Sequence, residues 1–293
     1  MSITSAMFTG VTGLLANAEG INVIGNNLAN VNTIGFKSGR MLFSDMLSAN
    51  IGNGSQIGRG TQIQKVENVF GQGSFESTES VTDLALQGNS FFALKSPITG
   101  APVNQDAAFL TRAGAFHVDS SLTLVNPDGY QVLDTAGNPI TFVNSGSAPA
   151  TDFSKIVKVE PNGLISYLAQ DGSTTLYYNT SGAAGVAATP ANAATVQRLA
   201  VVSPADLTGL TKAGGTLFTS SPSAGTPAAA FTLAGNQPNG ISEKIYTNSL
   251  EQSNVDMAGQ FVKMILTQRA YSANSKTITT ADEMTQEVLN LKR

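Results

Sequence analysis

The side chains that usually carry out catalysis are scarce in this sequence and are not grouped together. Its 293 residues include no cysteine and a single histidine, His117, so thiolate nucleophiles and histidine-rich metal sites have no candidates. No serine lies in a Gly-x-Ser-x-Gly setting. The adjacent acids Asp282 and Glu283 fall on a predicted helix, where neighbouring side chains point about 100° apart. The sequence therefore predicts neither an enzyme nor a metal or cofactor site.

Other ligand classes are also disfavoured by composition and pattern. The glycine-rich stretch between Gly52 and Gly60 lacks the Gly-Lys-Ser/Thr ending of a phosphate loop and does not open a helix. Charged residues are 12% of the chain and the net charge is −4, which provides no basic field for nucleic acid. No apolar run reaches the roughly 18 residues of a membrane span, and the first residues do not predict a cleaved signal peptide.

The elements that could position a functional surface are two long helices at the ends of the chain. From Val255 onward there is no proline and one glycine, Gly259, and two apolar stripes predict a helix of about 36 residues. Near the other end, a second helix is predicted from about residue 2 to residue 30, with a heptad seam along it. The seam consists of Met7, Val11, Leu14, Ala18, Ile21, Gly25 and Leu28. One such helix could lie across a globular core, but two favour lengthwise pairing, and the extra stripe favours contacts with other copies of the chain.

The middle of the chain is predicted to form a series of short strands. The dipeptides Asp128-Gly129, Asn162-Gly163 and Asp171-Gly172 separate apolar runs and are typical of hairpins. Because no helical pattern lies between these runs, an antiparallel barrel or sandwich is favoured over βαβ units. The predicted fold class is therefore α+β, with terminal helices paired as a coiled coil and an all-β middle domain.

These patterns also predict the division into domains. Residues 1–36 and 250–293 form a terminal helical domain, residues 37–70 an extended linker, and residues 71–249 the β domain. Within the β domain, stretches rich in small residues predict loops at 144–155, 180–195 and 220–240.

Polar residues near the end of the first helix have two interpretations. Asn26, Asn27 and Asn30 could belong to a fraying last turn, or they could be amides buried between helices that set the register. The predicted set for packing between helices or subunits is Val11, Leu14, Ile21, Asn26, Asn27, Leu28, Asn30, Phe36, Val262, Ile265, Gln268, Arg269, Tyr271, Ile278, Met284 and Val288.

The two ends of the chain also carry motifs of a known family. The stretch from Val23 to Lys37, VIGNNLANVNTIGFK, resembles the N-terminal signature of bacterial flagellar rod and hook proteins. The C-terminal signature of that family is matched by the motifs that begin at Ser253, Gln268, Asn274 and Thr279. Interior motifs agree too, at 83–92 and 111–116.

The resemblance implies a subunit of a hollow axial polymer, with the paired terminal helices lining the tube and the β domain outside them. It also implies export by the flagellar type III apparatus, without a cleaved signal, to the extracellular flagellum. The implied partners are further copies of the chain, other axial proteins of the rod and the hook–filament junction, the hook cap and the export apparatus. No nucleic acid and no membrane insertion are expected.

The motifs from Phe43 to Leu47 and from Ile278 to Asp282 resemble the hook protein more than the rod proteins. A typical hook subunit has a further outer domain, and 293 residues leave little room for one. Only a small outer domain could fit, within 144–196. The expectation is a short hook protein that forms a curved tube, with a distal rod protein forming a rigid drive shaft as the alternative.

A secreted adhesin would explain the β middle but would leave the paired helices without a role. A cell-wall hydrolase would require convergent carboxylates.

Overall fold

A computed structural model of the chain describes residues 3–52, 55–96, 108–146, 148–220 and 243–291. The chain divides into two compact units. The helical unit comprises residues 1–31, 37–69 and 255–293, and the β unit comprises residues 32–36 and 70–254. This division differs from the predicted domains mainly at 37–70, where the structure has strands that group with the helices.

The helical unit contains two long helices. Helix α1 spans Ile3–Ala29 and helix α2 spans Met257–Leu291, with 27 and 35 residues, or roughly 40 and 52 Å at 1.5 Å per residue. The ends of both helices lie close to those that periodicity predicts. Helix is the locally preferred conformation there because both stretches are long and contain no proline. Neither helix is long and apolar enough to cross a membrane.

A β-hairpin completes the helical unit. Strand β1 (Gly39–Asp45) pairs antiparallel with β4 (Thr61–Asn68), with a register shift between Leu42 and Phe43. The short strands β2 (Ala49–Gly52) and β3 (Ser55–Ile57) pair with each other between them.

The β unit is built from short antiparallel strands. They are β5 (Phe75–Ser77), β6 (Leu84–Gln87), β7 (Phe91–Lys95), β8 (Ala108–Thr111), β9 (His117–Val118), β10 (Leu124–Val125), β11 (Gln131–Val132), β12 (Phe153–Val159), β13 (Ile165–Ala169), β14 (Thr175–Tyr177), β15 (Val186–Ala187), β16 (Val201–Val202), β17 (Leu210–Gly214), β18 (Leu217–Ser220), β19 (Lys244–Thr247) and β20 (Ser249–Glu251). Two 3₁₀ turns lie at Asn192–Ala194 and Leu207–Gly209.

The strands form an eight-stranded and a four-stranded sheet and two pairs. The larger sheet runs β17-β18-β8-β7-β11-β10-β9, with β16 also on β7, and the smaller runs β12-β13-β14-β15. Strand β19 pairs with β6, and β20 pairs with β5. In the part of the chain that the structure describes, the first and last strands of each sheet do not pair with each other. The α+β class is confirmed, but a closed barrel is not. The main core includes Phe92, Phe116, Phe142 and Tyr167.

The three predicted loops have different outcomes. Residues 180–195 include strand β15 and a 3₁₀ turn, and residues 144–155 run into β12 at Phe153, so neither stretch is wholly loop. Most of 220–240 lies outside the described residues. The predicted hairpin turns do occur: Gly129, Gly163 and Gly172 all have positive φ, from 72° to 84°, a conformation that glycine adopts without steric cost.

Candidate assembly surface

Helices α1 and α2 meet through a stripe of small residues. A Cβ atom added at Gly10 would lie 2.9 Å from Ile278 Cγ1, and one added at Gly13 would lie 2.7 Å from Asn274 Nδ2. Both separations are shorter than van der Waals contact. At Gly10 the carbonyl oxygen of Asn274 also lies 3.4 Å away, so the close approach of the helices depends on glycine there. At Gly13 the atoms met belong to the Asn274 side chain, which would have to move.

The predicted apolar seam of α1 lies beside this contact face. The buried positions in residues 4–29 are 10, 13, 16, 20, 24 and 27, and all but 16 lie one residue before a member of the predicted seam. Val11 is 41% exposed, and Leu14, Ile21 and Leu28 are half-buried. One residue corresponds to a rotation of about 100°, so the larger apolar side chains flank the glycine stripe within this chain.

Asn27 joins three elements of the helical unit. Its amide nitrogen donates to Gly39 O and its amide oxygen accepts from Gly39 N, both at 2.8 Å, which continues the hydrogen-bonding edge of β1. The same nitrogen lies 3.4 Å from Gln260 Oε1 on α2. Asn27 is only 1% exposed, and satisfied amides at such depth restrict how neighbouring elements align.

The other predicted residues near the end of α1 have different environments. Asn26 is exposed, while Asn30 is half-buried and donates from Nδ2 to Asn26 O at 2.8 Å. Phe36 belongs to the β unit and is 8% exposed, with Lys212 Nζ 4.4 Å from its ring centroid, a cation–π geometry. Burial lowers the pKa of Lys212 below its ordinary value.

The predicted residues on α2 are mostly exposed. Val262, Ile265, Met284 and Val288 are each more than half exposed, and Gln268, Arg269 and Tyr271 are also exposed. Ile278 is the exception, since it is half-buried against Gly10.

Further large apolar side chains are exposed on both helices, in addition to the predicted residues of α2. Phe8 and Leu15 on α1 and Phe261 and Leu266 on α2 are between 47% and 61% exposed. Soluble monomers rarely expose contiguous apolar patches of more than a few hundred Å², so apolar residues repeated along two long helices indicate a surface made for contact with other proteins.

The β unit contains a buried ion pair that sequence reasoning missed. Arg112 Nη1 lies 3.2 Å from Glu251 Oε2, and the two side chains are 1% and 0% exposed. Arg112 also donates to the carbonyls of Leu86 and Gly88, and Glu251 accepts from Gly73 N at 2.8 Å. Burial lowers the pKa of Arg112, while the nearby Glu251 carboxylate opposes that shift. No local pattern could reveal this pair, because its members are 139 positions apart.

The described residues contain no group of three histidine, aspartate or glutamate side chains placed to hold a metal ion. His117 lies exposed on β9, and Asp282 and Glu283 are both exposed on α2. The features that the structure does assemble are packing surfaces and the buried polar pairs that support them.

Three family models match separate parts of the chain. Residues 7–37 match the description "Flagella basal body rod protein". Residues 85–167 match "Flagellar hook protein FlgE/F/G D1 domain". Residues 246–291 match "Flagellar basal body rod FlgEFG protein C-terminal". The first and last matches fall mainly on the helices, and the middle match falls within the β unit.

Individual relatives differ in how much of the chain they cover. The flagellar basal-body rod protein FlgG of Bacillus subtilis is 34% identical over 98% of this chain and 99% of its own length. FlgG of Borreliella burgdorferi is 29% identical over 98% of each. The flagellar hook protein FlgE of Borreliella burgdorferi is 38% identical, but over only 48% of this chain and 34% of its own length. With helical ends, an antiparallel β middle and end-to-end similarity to a rod protein, the chain belongs to the family of flagellar rod and hook axial proteins and has a structural role in the flagellum.

Proposed function

We propose that this chain is a subunit of the flagellar rod, the rigid drive shaft of the basal body. The observation that carries the proposal is similarity over the full length to proteins named as rod subunits. This reverses the preference drawn from sequence motifs, which favoured the hook and left the rod as the alternative. Local motifs in both terminal signatures do not separate the two kinds of subunit well, and the coverage of whole rod proteins supports the rod.

The hook remains the second candidate because of one observation. The hook protein of Borreliella burgdorferi has the higher local identity, 38% over 160 residues. That match leaves about two thirds of the hook protein without a counterpart here, which is consistent with a subunit that lacks the hook's additional outer domain.

In the proposed assembly, the terminal helical segments (residues 1–36 and 250–293) pair as a coiled coil and line the tube. Copies of the chain polymerise through the exposed apolar faces of α1 and α2, where burial of apolar surface supplies the driving force. Other axial proteins bind the ends of the polymer, and the subunits reach it through the flagellar export apparatus.

Deletion of the gene in its own bacterium tests the proposal. Basal bodies purified from the mutant should have shortened rods and no hook when viewed by electron microscopy, and a plasmid copy of the gene should restore both. Rods of full length that lack only the hook would contradict the rod assignment and support the hook.

A further inference from the structure

The helical unit contains a groove between α1, β1 and α2. Its volume is about 320 Å³, at the lower end of the roughly 300–1,000 Å³ typical of ligand clefts. It is lined by three elements, chiefly Gly20, Val23 and Ile24 on α1, Met41 and Phe43 on β1, and Thr267 on α2. Phe43 is 49% exposed, so an apolar part of the wall is open to a partner.

Two cationic side chains line the polar part of the groove, Arg40 and Lys263. Arg40 is already paired with Glu67 on the neighbouring strand β4. Lys263 is exposed, and no ion pair to it occurs among the described residues. An occupant that combines apolar side chains with negative charge would therefore complement this groove.

Three exposed apolar stripes of the chain could enter such a groove, and charge distinguishes them. The stripe around Phe261 and Leu266 on α2 contains the basic Lys263 itself. The stripe on α1 includes Phe8 and Leu15, but residues 3–18 carry no charged side chain. The stripe near the end of α2 includes Met284 and Val288, 51% and 57% exposed. Residues 282–288 hold three acidic side chains and no basic one.

The geometry of α2 puts these apolar and acidic groups in register. Met284 and Val288 are four residues apart and share one helix face, and Glu283 and Glu287 form a parallel row beside them. This arrangement is the usual one for a helix that docks in a groove, with apolar anchors at i and i+4 and charges along the margin.

We propose that the groove binds the last turns of α2 from a second copy of the chain. Met284 and Val288 enter the apolar part, and Glu283 and Glu287 face Lys263. The contact rests on the proposed function, since it assumes that copies of the chain assemble. It is directional, because the groove and its occupant are different surfaces, and a contact of that kind propagates into a polymer.

Charge exchange tests the electrostatic part of the contact. Lys263→Glu alone, and Glu283→Lys with Glu287→Lys, should each raise the critical concentration for polymerisation at least about tenfold, because like charges then face each other. The chain with all three changes should return to within about threefold of the wild type. The matched control is Lys276→Glu, an exposed lysine elsewhere on α2, which should polymerise normally. Sedimentation measures the polymer, and circular dichroism verifies the fold.

Cysteine cross-linking tests the apolar part inside the assembled flagellum. The chain has no cysteine, so Val23→Cys with Val288→Cys introduces one defined pair. A disulfide within one chain is excluded, because Val288 lies 21 positions beyond Thr267, roughly 30 Å along α2. Oxidised basal bodies from cells with this variant should give a ladder of covalent oligomers, while each single-cysteine variant should give no species larger than a dimer.

The failure of this contact is distinguishable from failure of the rod assignment. If the ladder of covalent oligomers is absent and Lys263→Glu polymerises like the wild type, the groove does not bind α2. That result leaves the rod proposal untouched, because the rod proposal is tested by the basal bodies of the deletion strain. A ladder together with rescue by the charge exchange supports the contact.

Discussion

At the scale of single residues, the stability of the β unit should depend on the buried Arg112–Glu251 ion pair. Glu251→Gln removes one charge and leaves the guanidinium buried without its counter-ion. Breaking a buried pair in this way costs about 3–5 kcal/mol of the free energy of unfolding. Five of the six tyrosines lie in the β unit, so urea unfolding followed by tyrosine fluorescence measures the loss there.

The control for this prediction replaces both members with apolar residues. Arg112→Met with Glu251→Leu leaves no buried charge and should be clearly more stable than Glu251→Gln. Equal losses for the two variants would mean that packing, and not the ion pair, stabilises this part of the β unit.

Asp171 makes the stability of a hairpin turn depend on pH. Its carboxylate accepts hydrogen bonds from Ser173 N at 3.0 Å and from Thr174 N at 2.9 Å. With the Thr174 hydroxyl as the largest contributor, these lower the pKa of Asp171 from 3.8 to about 2. Since the folded-state pKa is depressed, the stabilisation is present above the ordinary pKa of 3.8 and is lost as the pH falls toward about 2.

Asp171→Asn should therefore be less stable than the wild type at neutral pH. The difference should shrink as the pH falls from 3.8 to about 2, and chemical unfolding of both proteins across this range measures it. A difference that stays constant with pH would show that the carboxylate charge contributes nothing.

At the scale of elements, the close approach of α1 and α2 depends on glycine. Gly10→Val would place a branched side chain against Ile278 and the carbonyl of Asn274. Overpacking of this kind usually costs about 1–3 kcal/mol, so the helical circular dichroism signal should melt at lower temperature.

The same helix offers a matched control at Gly25. A Cβ added there meets nothing within 4 Å. Gly25→Ala should then raise the stability of the helices by up to about 1 kcal/mol through helix propensity alone. If Gly10→Val and Gly25→Ala had the same effect, the helices would not meet at the glycine stripe.

At the scale of the whole molecule, the exposed apolar faces should matter for assembly more than for folding. Ile265 is 53% exposed on α2, so Ile265→Asp should fold normally. In the polymer, the new carboxylate would be buried without a partner, which is strongly unfavourable. The critical concentration should rise at least about tenfold, as measured by sedimentation and electron microscopy.

Val157→Asp is the corresponding control, because Val157 is an exposed apolar residue on β12 of the β unit. It should assemble like the wild type. If Ile265→Asp formed normal tubes, or if Val157→Asp formed none, the main contact between subunits would lie in the β unit and not on α2.

Local sequence determined the elements and the family of this protein. The proline-free ends specify two helices, glycine at left-handed positions specifies the hairpin turns, and the motifs at both ends identify the flagellar axial family. These features follow from backbone preferences and short-range periodicity, which depend on neighbouring residues only.

Tertiary structure decided which surfaces pair. Gly10 contributes nothing to an apolar seam, yet its lack of a side chain lets α1 approach α2. The contact face on α1 therefore lies beside the predicted seam, rotated by about 100°. Arg112 finds Glu251 only because distant segments are brought together by the β unit. Both outcomes depend on the shape and charge of partners far away in the chain, and periodicity within one segment carries no information about them.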